Sequence, residues 1–186
     1  MYDSLAAKIL LLISCCCFSL LVGASSKSPL PELVTKEWQG MQMLGETRLK
    51  KLGFHIYDAS FWTQDKNKLE NNDMENVSAL SITYARKIKA EKLISITKKE
   101  WQRLAYDDKY PIYEWMIMLK NIWPDVKKSD QLIVVSTPQG KSIFYDKNKR
   151  LGTIDDADFG PAFLAIWIDK NSRYKKNRLE LMGKVK

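Results

Sequence analysis

Hydrophobic positions recur along this chain with two different periods. Over residues 79–86, ALSITYAR, they alternate: Leu80, Ile82 and Tyr84 fall on one side and small or hydroxylated residues on the other, as in a strand with one buried face. Residues 38–43 and 54–63 are rich in aromatic and β-branched side chains and predict two further strands, with a turn at Leu52-Gly53 or at Lys50-Lys51. The period then changes. Leu93, Ile96, Thr97, Trp101 and Leu104 lie at helical spacing within 89–105, and Ile112, Trp115, Met116, Leu119, Ile122 and Trp123 repeat the pattern. Pro111 separates these two helices and Pro124 stops the second. Residues 132–136 and 142–145 form a hairpin around Pro138-Gln139-Gly140, and 150–154 add a strand after a turn at 146–149. FGPAFLAIWI, 159–168, is a buried helix with Pro161 in its first turn and Asp155, Asp156 or Asp158 as cap, and Leu179 and Leu181 close the chain against the core. The polar, Asn-rich stretch 65–76 is a loop. Strands, helices, strands, helices in that order argue for an α+β domain with one mainly antiparallel sheet layered by helices.

The N-terminus changes the picture of where this domain works. Residues 9–22, ILLLISCCCFSLLV, are uncharged and apolar, follow Lys8, and end in the small residues Gly23-Ala24-Ser25-Ser26. Such a run is too short for an ordinary membrane span and fits a signal peptide over residues 1–24, with Val22 and Ala24 as the small-residue pair at the cut. An uncleaved anchor, or lipid attachment at Cys15, are the alternatives. Residues 25–37, which include KSPLP, then read as a linker and 38–186 as the domain. The expected location is exported and periplasmic. Cys15, Cys16 and Cys17 are the three cysteines, so the exported part has none and must rely on its apolar core rather than on disulfides.

Loss of residues 1–24 removes Lys8 and Asp3 together, leaving the net charge of +8 unchanged. Bases and acids are interspersed, with a denser basic run at Arg173, Lys175, Lys176 and Arg178 that reads first as a solvated face. The balance admits contact with an anionic membrane surface; nucleic acid is not an expected partner, since no recognition motif is present. His55 is the only histidine, which excludes triads and imidazole-based zinc sites. No GxGxxG or Walker loop occurs, and the adjacent acids Asp107-Asp108 and Asp155-Asp156 suit caps better than paired acid/base work. No cofactor or metal is expected.

What remains is Arg48, set among apolar residues in GETRLKKLGFHIYDASFW. A guanidinium in a dry interior needs an anion, and a bound carboxylate is one candidate; pairing with Glu46 or Asp58 is the other. With a two-residue loop at Leu52-Gly53, Arg48 falls opposite Tyr57. The tryptophans of the helices read mainly as core, yet helices rich in Trp, Met and Leu over a sheet carrying Arg48, Tyr57 and Tyr84 could also leave an apolar slot with a polar end. An amphipathic carboxylate suits such a slot, since each buried methylene contributes about 0.8 kcal/mol and a tail of about ten carbons offsets its ordering cost.

GETRLKKLGFHIYDASFW, YARKIKAEKL, WPDVKKSDQL and DFGPAFLAIWI together resemble the bacterial exported branch of the chalcone isomerase-like family; Ser129 stands where a Gly usually precedes the Asp at position 130. The resemblance implies an open-faced β-sandwich with a cleft between sheet and helices. It also implies a choice between isomerases that cyclise chalcones and non-catalytic fatty-acid binders in which an Arg and a Tyr hold the carboxylate. Arg48 falls on the shared Arg, and Tyr57 falls where binders carry Tyr and isomerases Thr. Lys89 and Ile96 stand where the isomerases place a catalytic Tyr and an Asn. The expectation is a non-enzymatic, exported binding protein for a fatty acid or similar carboxylate, with Arg48, Tyr57 and Tyr84 as ligand-binding residues. The alternatives are a chalcone isomerase-type isomerase or lyase, and an envelope interaction module without a ligand.

Overall fold

The structure, a computed structural model, describes residues 26–66 and 76–185. Residues 1–24, and with them the expected signal peptide, lie outside the described residues, as does most of the loop expected at 65–76. Six strands form one antiparallel sheet in sequence order: β1 (Gln42–Lys51), β2 (Phe54–Thr63), β3 (Ser78–Tyr84), β4 (Gln131–Ser136), β5 (Lys141–Tyr145) and β6 (Arg150–Asp155). Among the described residues five helices complete the fold: α1 (Glu32–Glu37), α2 (Ala90–Arg103), α3 (Ile112–Ile122), α4 (Phe159–Ile168) and α5 (Lys175–Leu181). This is the expected α+β, open-faced arrangement. Among the described residues no helix is long and apolar enough to cross a membrane.

The inner face of the sheet is built in rows by strand alternation. Phe61, Leu80, Val134 and Phe144 are successive cross-strand partners, Ala59, Ile82 and Leu132 form the next row, and Leu49, Tyr57 and Tyr84 the last. Helices α3 and α4 lay their apolar stripes on the sheet, and α2 packs against both of them in the same core. Trp101 and Trp115 are fully buried among Phe159 and Phe163, and their indole nitrogens donate to the Ala162 carbonyl (3.0 Å) and to Asp156 Oδ2 (2.8 Å). They are core, as their spacing implied. Helix α5 lies directly on β1 because Gly45 has no side chain: a Cβ there would sit 2.1 Å from the Glu180 carbonyl oxygen. Asn177 secures the contact, its amide nitrogen donating to Thr47 Oγ1 (2.7 Å) and to the Arg48 carbonyl (3.0 Å).

The outer face departs from expectation. Residues 28–37 are not a linker but a strap, ending in α1, that covers the sheet. Leu30 and Val34 pack with Ile133, Val135, Ile143 and Tyr145 in a second, smaller apolar layer. Beside it runs a polar seam in which Ser28 Oγ bonds Ser81 Oγ (3.0 Å) and Thr83 Oγ1 (2.8 Å), while the Gln131 amide donates to the Pro29 carbonyl (2.5 Å). The hydroxylated side of β3, read as the solvent side, is therefore largely buried, its polar groups being satisfied by the strap. For the same reason the first strand begins at Gln42, since the chain before it is occupied in this strap. Both apolar layers are built from residues between Ser28 and Leu181, so residues 26–186 carry the whole described fold.

Candidate functional site

Between the sheet and helices α2 and α5 lies a cavity of about 820 Å³. Its floor is the inner face of the sheet, with Leu80, Ile82, Leu132, Val134 and Phe144, and its far wall is Trp123, Phe163 and Ile166. Nothing in this lining titrates at ordinary pH. Among the polar residues of the lining, Tyr57 and Tyr84 sit side by side on β2 and β3 with ring centroids 6.4 Å apart. Trp167 Nε1 donates to the Tyr57 hydroxyl at 3.0 Å, which orients that phenol and leaves its own proton available to a ligand. Burial drives both phenols well above the ordinary tyrosine range, so each is a neutral donor at any physiological pH.

The rim is cationic. Eight of the lining residues are Lys or Arg (Lys51, Arg86, Lys87, Lys89, Lys92, Lys99, Arg173 and Arg178), against a single acid, Glu100. That acid is already clamped, accepting from Arg103 Nε at 2.8 Å and Arg173 Nε at 2.7 Å. Lys89 lies 3.7 Å from Asp125, and Arg178 donates to the Ile168 carbonyl at 2.8 Å. Lys51, Lys87, Lys92 and Lys99 make no ion pair among the described residues. Lys92 and Lys99 flank the half-exposed Ile96 on α2, at positions i, i+4 and i+7, so the helix presents a cation–apolar–cation edge to the opening.

Arg48 is not at this site. The turn is the expected Leu52-Gly53 pair, with φ of 49° and 79°, but a bulge between Leu49 and Lys50 shifts the register by one residue. Leu49 consequently faces Tyr57, while Arg48 faces Asp58 on the opposite side of the sheet. There Arg48 Nε donates to Asp58 Oδ1 at 2.7 Å and Nη2 to Oδ2 at 3.3 Å, and the arginine side chain is 45% exposed. The hydrogen bond to Asp58 raises the guanidinium's already high pKa. His55 Nε2 lies 3.2 Å from Asp58 Oδ2. The expectation of a buried arginine without an acid is thus corrected: the structure joins Tyr57 and Tyr84 in the cavity and separates Arg48 from both. The rim lysines were missed in the sequence because they come from a hairpin, a strand–helix connection and a helix edge. The spacing of Lys92, Ile96 and Lys99 along the border of an amphipathic helix was the signal available.

A six-stranded antiparallel sheet with α2 to α5 on one face over an apolar cleft, and a strap ending in α1 on the other, defines the class. Residues 27–183 match the family described as chalcone isomerase-like, and the chain belongs to that family. It is 27% identical over 133 residues to an uncharacterized protein of Haemophilus influenzae, a match covering 72% of this chain and 63% of that protein. The matched part thus spans a little under two thirds of that relative's length. The fold superposes on the crystal structure of a fatty-acid binding protein of Arabidopsis thaliana with a TM-score of 0.63 at 11% identity, over 78% of this chain and 88% of that one. At that identity the likeness is one of fold.

Proposed function

We propose that this protein binds a fatty acid or a similar amphipathic carboxylate in the cavity between the sheet and helices α2 and α5, without transforming it. The single observation that carries the proposal is a largely apolar cavity of about 820 Å³ whose rim carries Lys51, Lys87, Lys92 and Lys99, none of which makes an ion pair among the described residues. That volume falls in the range of small-molecule sites, about 300–1,000 Å³. The acyl tail replaces water along Leu80, Leu132 and Phe144. The carboxylate meets the rim at Lys92 and Lys99, with the Tyr57 and Tyr84 hydroxyls as donors to a ligand oxygen that passes them. The family and the fold shared with a fatty-acid binding protein support this reading. Arg48 serves instead to neutralise Asp58 on the outer face. Lys89 and Ile96 do not supply the tyrosine and asparagine by which isomerases of the family act, so a stabilising pair for ring closure is missing.

Lipid extraction and mass spectrometry of the purified protein, followed by titration with saturated fatty acids of increasing length, test the proposal. Each added pair of methylenes is expected to tighten binding about fifteenfold, from about 0.8 kcal/mol per methylene, until the tail fills the cavity. Absence of any co-purifying carboxylate together with no uptake at any chain length would refute it. Export to the periplasm belongs to the same proposal and rests on the apolar run at 9–22. Fractionation that finds the protein in the cytosol with residues 1–24 intact would overturn that part alone.

A further inference from the structure

The tip of the first hairpin exposes apolar surface that neither the core nor the turn explains. Leu52 is 89% exposed and Phe54 63%. Leu52 also holds φ at 49°, a left-handed conformation that Asn or Gly adopts more readily than leucine. A second segment meets this tip: the Ala85 N–H donates to the Ile56 carbonyl at 2.9 Å, and the Arg86 guanidinium lies 5.4 Å from the centroid of the Phe54 ring. Residues 50–54 and 85–89, KKLGF and ARKIK, carry five cations and no acid. Lys51, Ile56, Arg86 and Lys87 belong at the same time to the wall of the cavity, so the tip stands beside its mouth.

We propose that this tip is a membrane-docking element for an anionic lipid bilayer. Leu52 and Phe54 enter the interfacial layer while Lys50, Lys51, Arg86 and Lys87 lie against the anionic head groups. Charge complementarity selects this occupant: exposed apolar side chains ringed by cations match the bilayer surface, where apolar and anionic groups adjoin. Docking in this orientation turns the cavity mouth toward the lipid, which gives an acyl ligand a route that avoids water. The purpose of docking rests on the ligand proposal, but docking itself does not.

The test is co-sedimentation of residues 26–186 with phosphatidylcholine vesicles containing about one third phosphatidylserine, compared with pure phosphatidylcholine. Binding is expected to the anionic vesicles only and to weaken as salt is added. Leu52→Ser/Phe54→Ser is expected to lower the affinity at least tenfold, and Lys50→Glu about fivefold or more. Tyr113→Ser/Ile117→Ser, at another exposed apolar site, is expected to leave it unchanged. In solution, Leu52→Ser/Phe54→Ser is expected to bind a fluorescent fatty acid like the parent, which separates loss of docking from failure of the ligand proposal. The proposal is overturned if the folded Leu52→Ser/Phe54→Ser variant sediments like the parent, or if anionic vesicles are not bound at low salt. It is equally overturned if the same substitutions abolish a dimer formed without vesicles, which would assign the tip to a second copy of the chain.

Discussion

Replacing Arg48 by alanine separates the two faces of the sheet. Asp58 is 8% exposed and receives two hydrogen bonds from Arg48, at 2.7 and 3.3 Å, so the substitution leaves a nearly buried carboxylate with only His55 near it. A shielded charge-assisted bond contributes about 1.5–3 kcal/mol. Because the arginine is 45% exposed, solvent screening reduces this to about 1–2 kcal/mol. For a domain of this size that lowers the melting temperature by about 3–6 °C. Fatty-acid affinity, in contrast, is expected to change less than about twofold, since the guanidinium lies across the sheet from the cavity; a twofold effect is about 0.4 kcal/mol. The reverse pattern is expected for Lys92→Ala/Lys99→Ala: exposed pairs contribute up to about 1 kcal/mol in all here, a roughly fivefold loss of affinity that salt mimics, with little change in melting. Calorimetric melting and displacement of a fluorescent fatty acid, measured on both variants, decide the matter. A large loss of affinity in Arg48→Ala with an unchanged melting temperature would refute the reasoning, because it would require the guanidinium to reach the ligand.

Two further outcomes follow from packing and ionisation. Gly45→Ala places a Cβ 2.1 Å from the Glu180 carbonyl and is expected to destabilise the protein by at least about 2 kcal/mol in urea denaturation and to loosen α5 over the cavity; a wild-type midpoint would show that α5 does not rest on β1. Tyr57 and Tyr84 have their ionisation raised by burial, so their contribution to stability is complete below pH 10 and is lost as pH rises through the raised values, when only the unfolded chain releases these protons. Absorbance titration is therefore expected to show Tyr57 and Tyr84 ionising late together with the buried Tyr145, whose phenol is also raised by burial, and the Tyr57→Phe/Tyr84→Phe variant is expected to lose two of these late-ionising groups and keep the third. A single transition near pH 10 for every tyrosine would contradict their burial.

The parts of the fold that periodicity alone dictates were legible: α2, α3 and α4, the three C-terminal strands, the Leu52-Gly53 turn, and the inward row Leu80, Ile82 and Tyr84. The position of Arg48 was not, for a definite reason. Strand alternation puts neighbouring residues on opposite faces, so one bulge, with Ile56 of β2 unpaired opposite Leu49 and Lys50, moved the guanidinium from the cavity to the outside, and nothing in LKKLGFHIY announces that bulge. The strap was hidden by chemistry of another kind. Ser60, Ser81 and Gln131 are polar and look solvent-facing, yet residues 28 and 29 satisfy them in the interior. The cavity's tyrosines could be named because they lie in regular strands, whereas its lysines gather from segments that only the folded chain brings together.

A crystal structure of the protein with a brominated fatty acid measures ligand placement most directly, because anomalous scattering locates the tail. Bromine is expected beside Leu80, Leu132 and Phe144, with the carboxylate at the lysine rim. Bromine on the outer face among Leu30, Val34 and Trp38, or crystals without bound fatty acid at saturating concentration, would contradict a carboxylate site between the sheet and its helices.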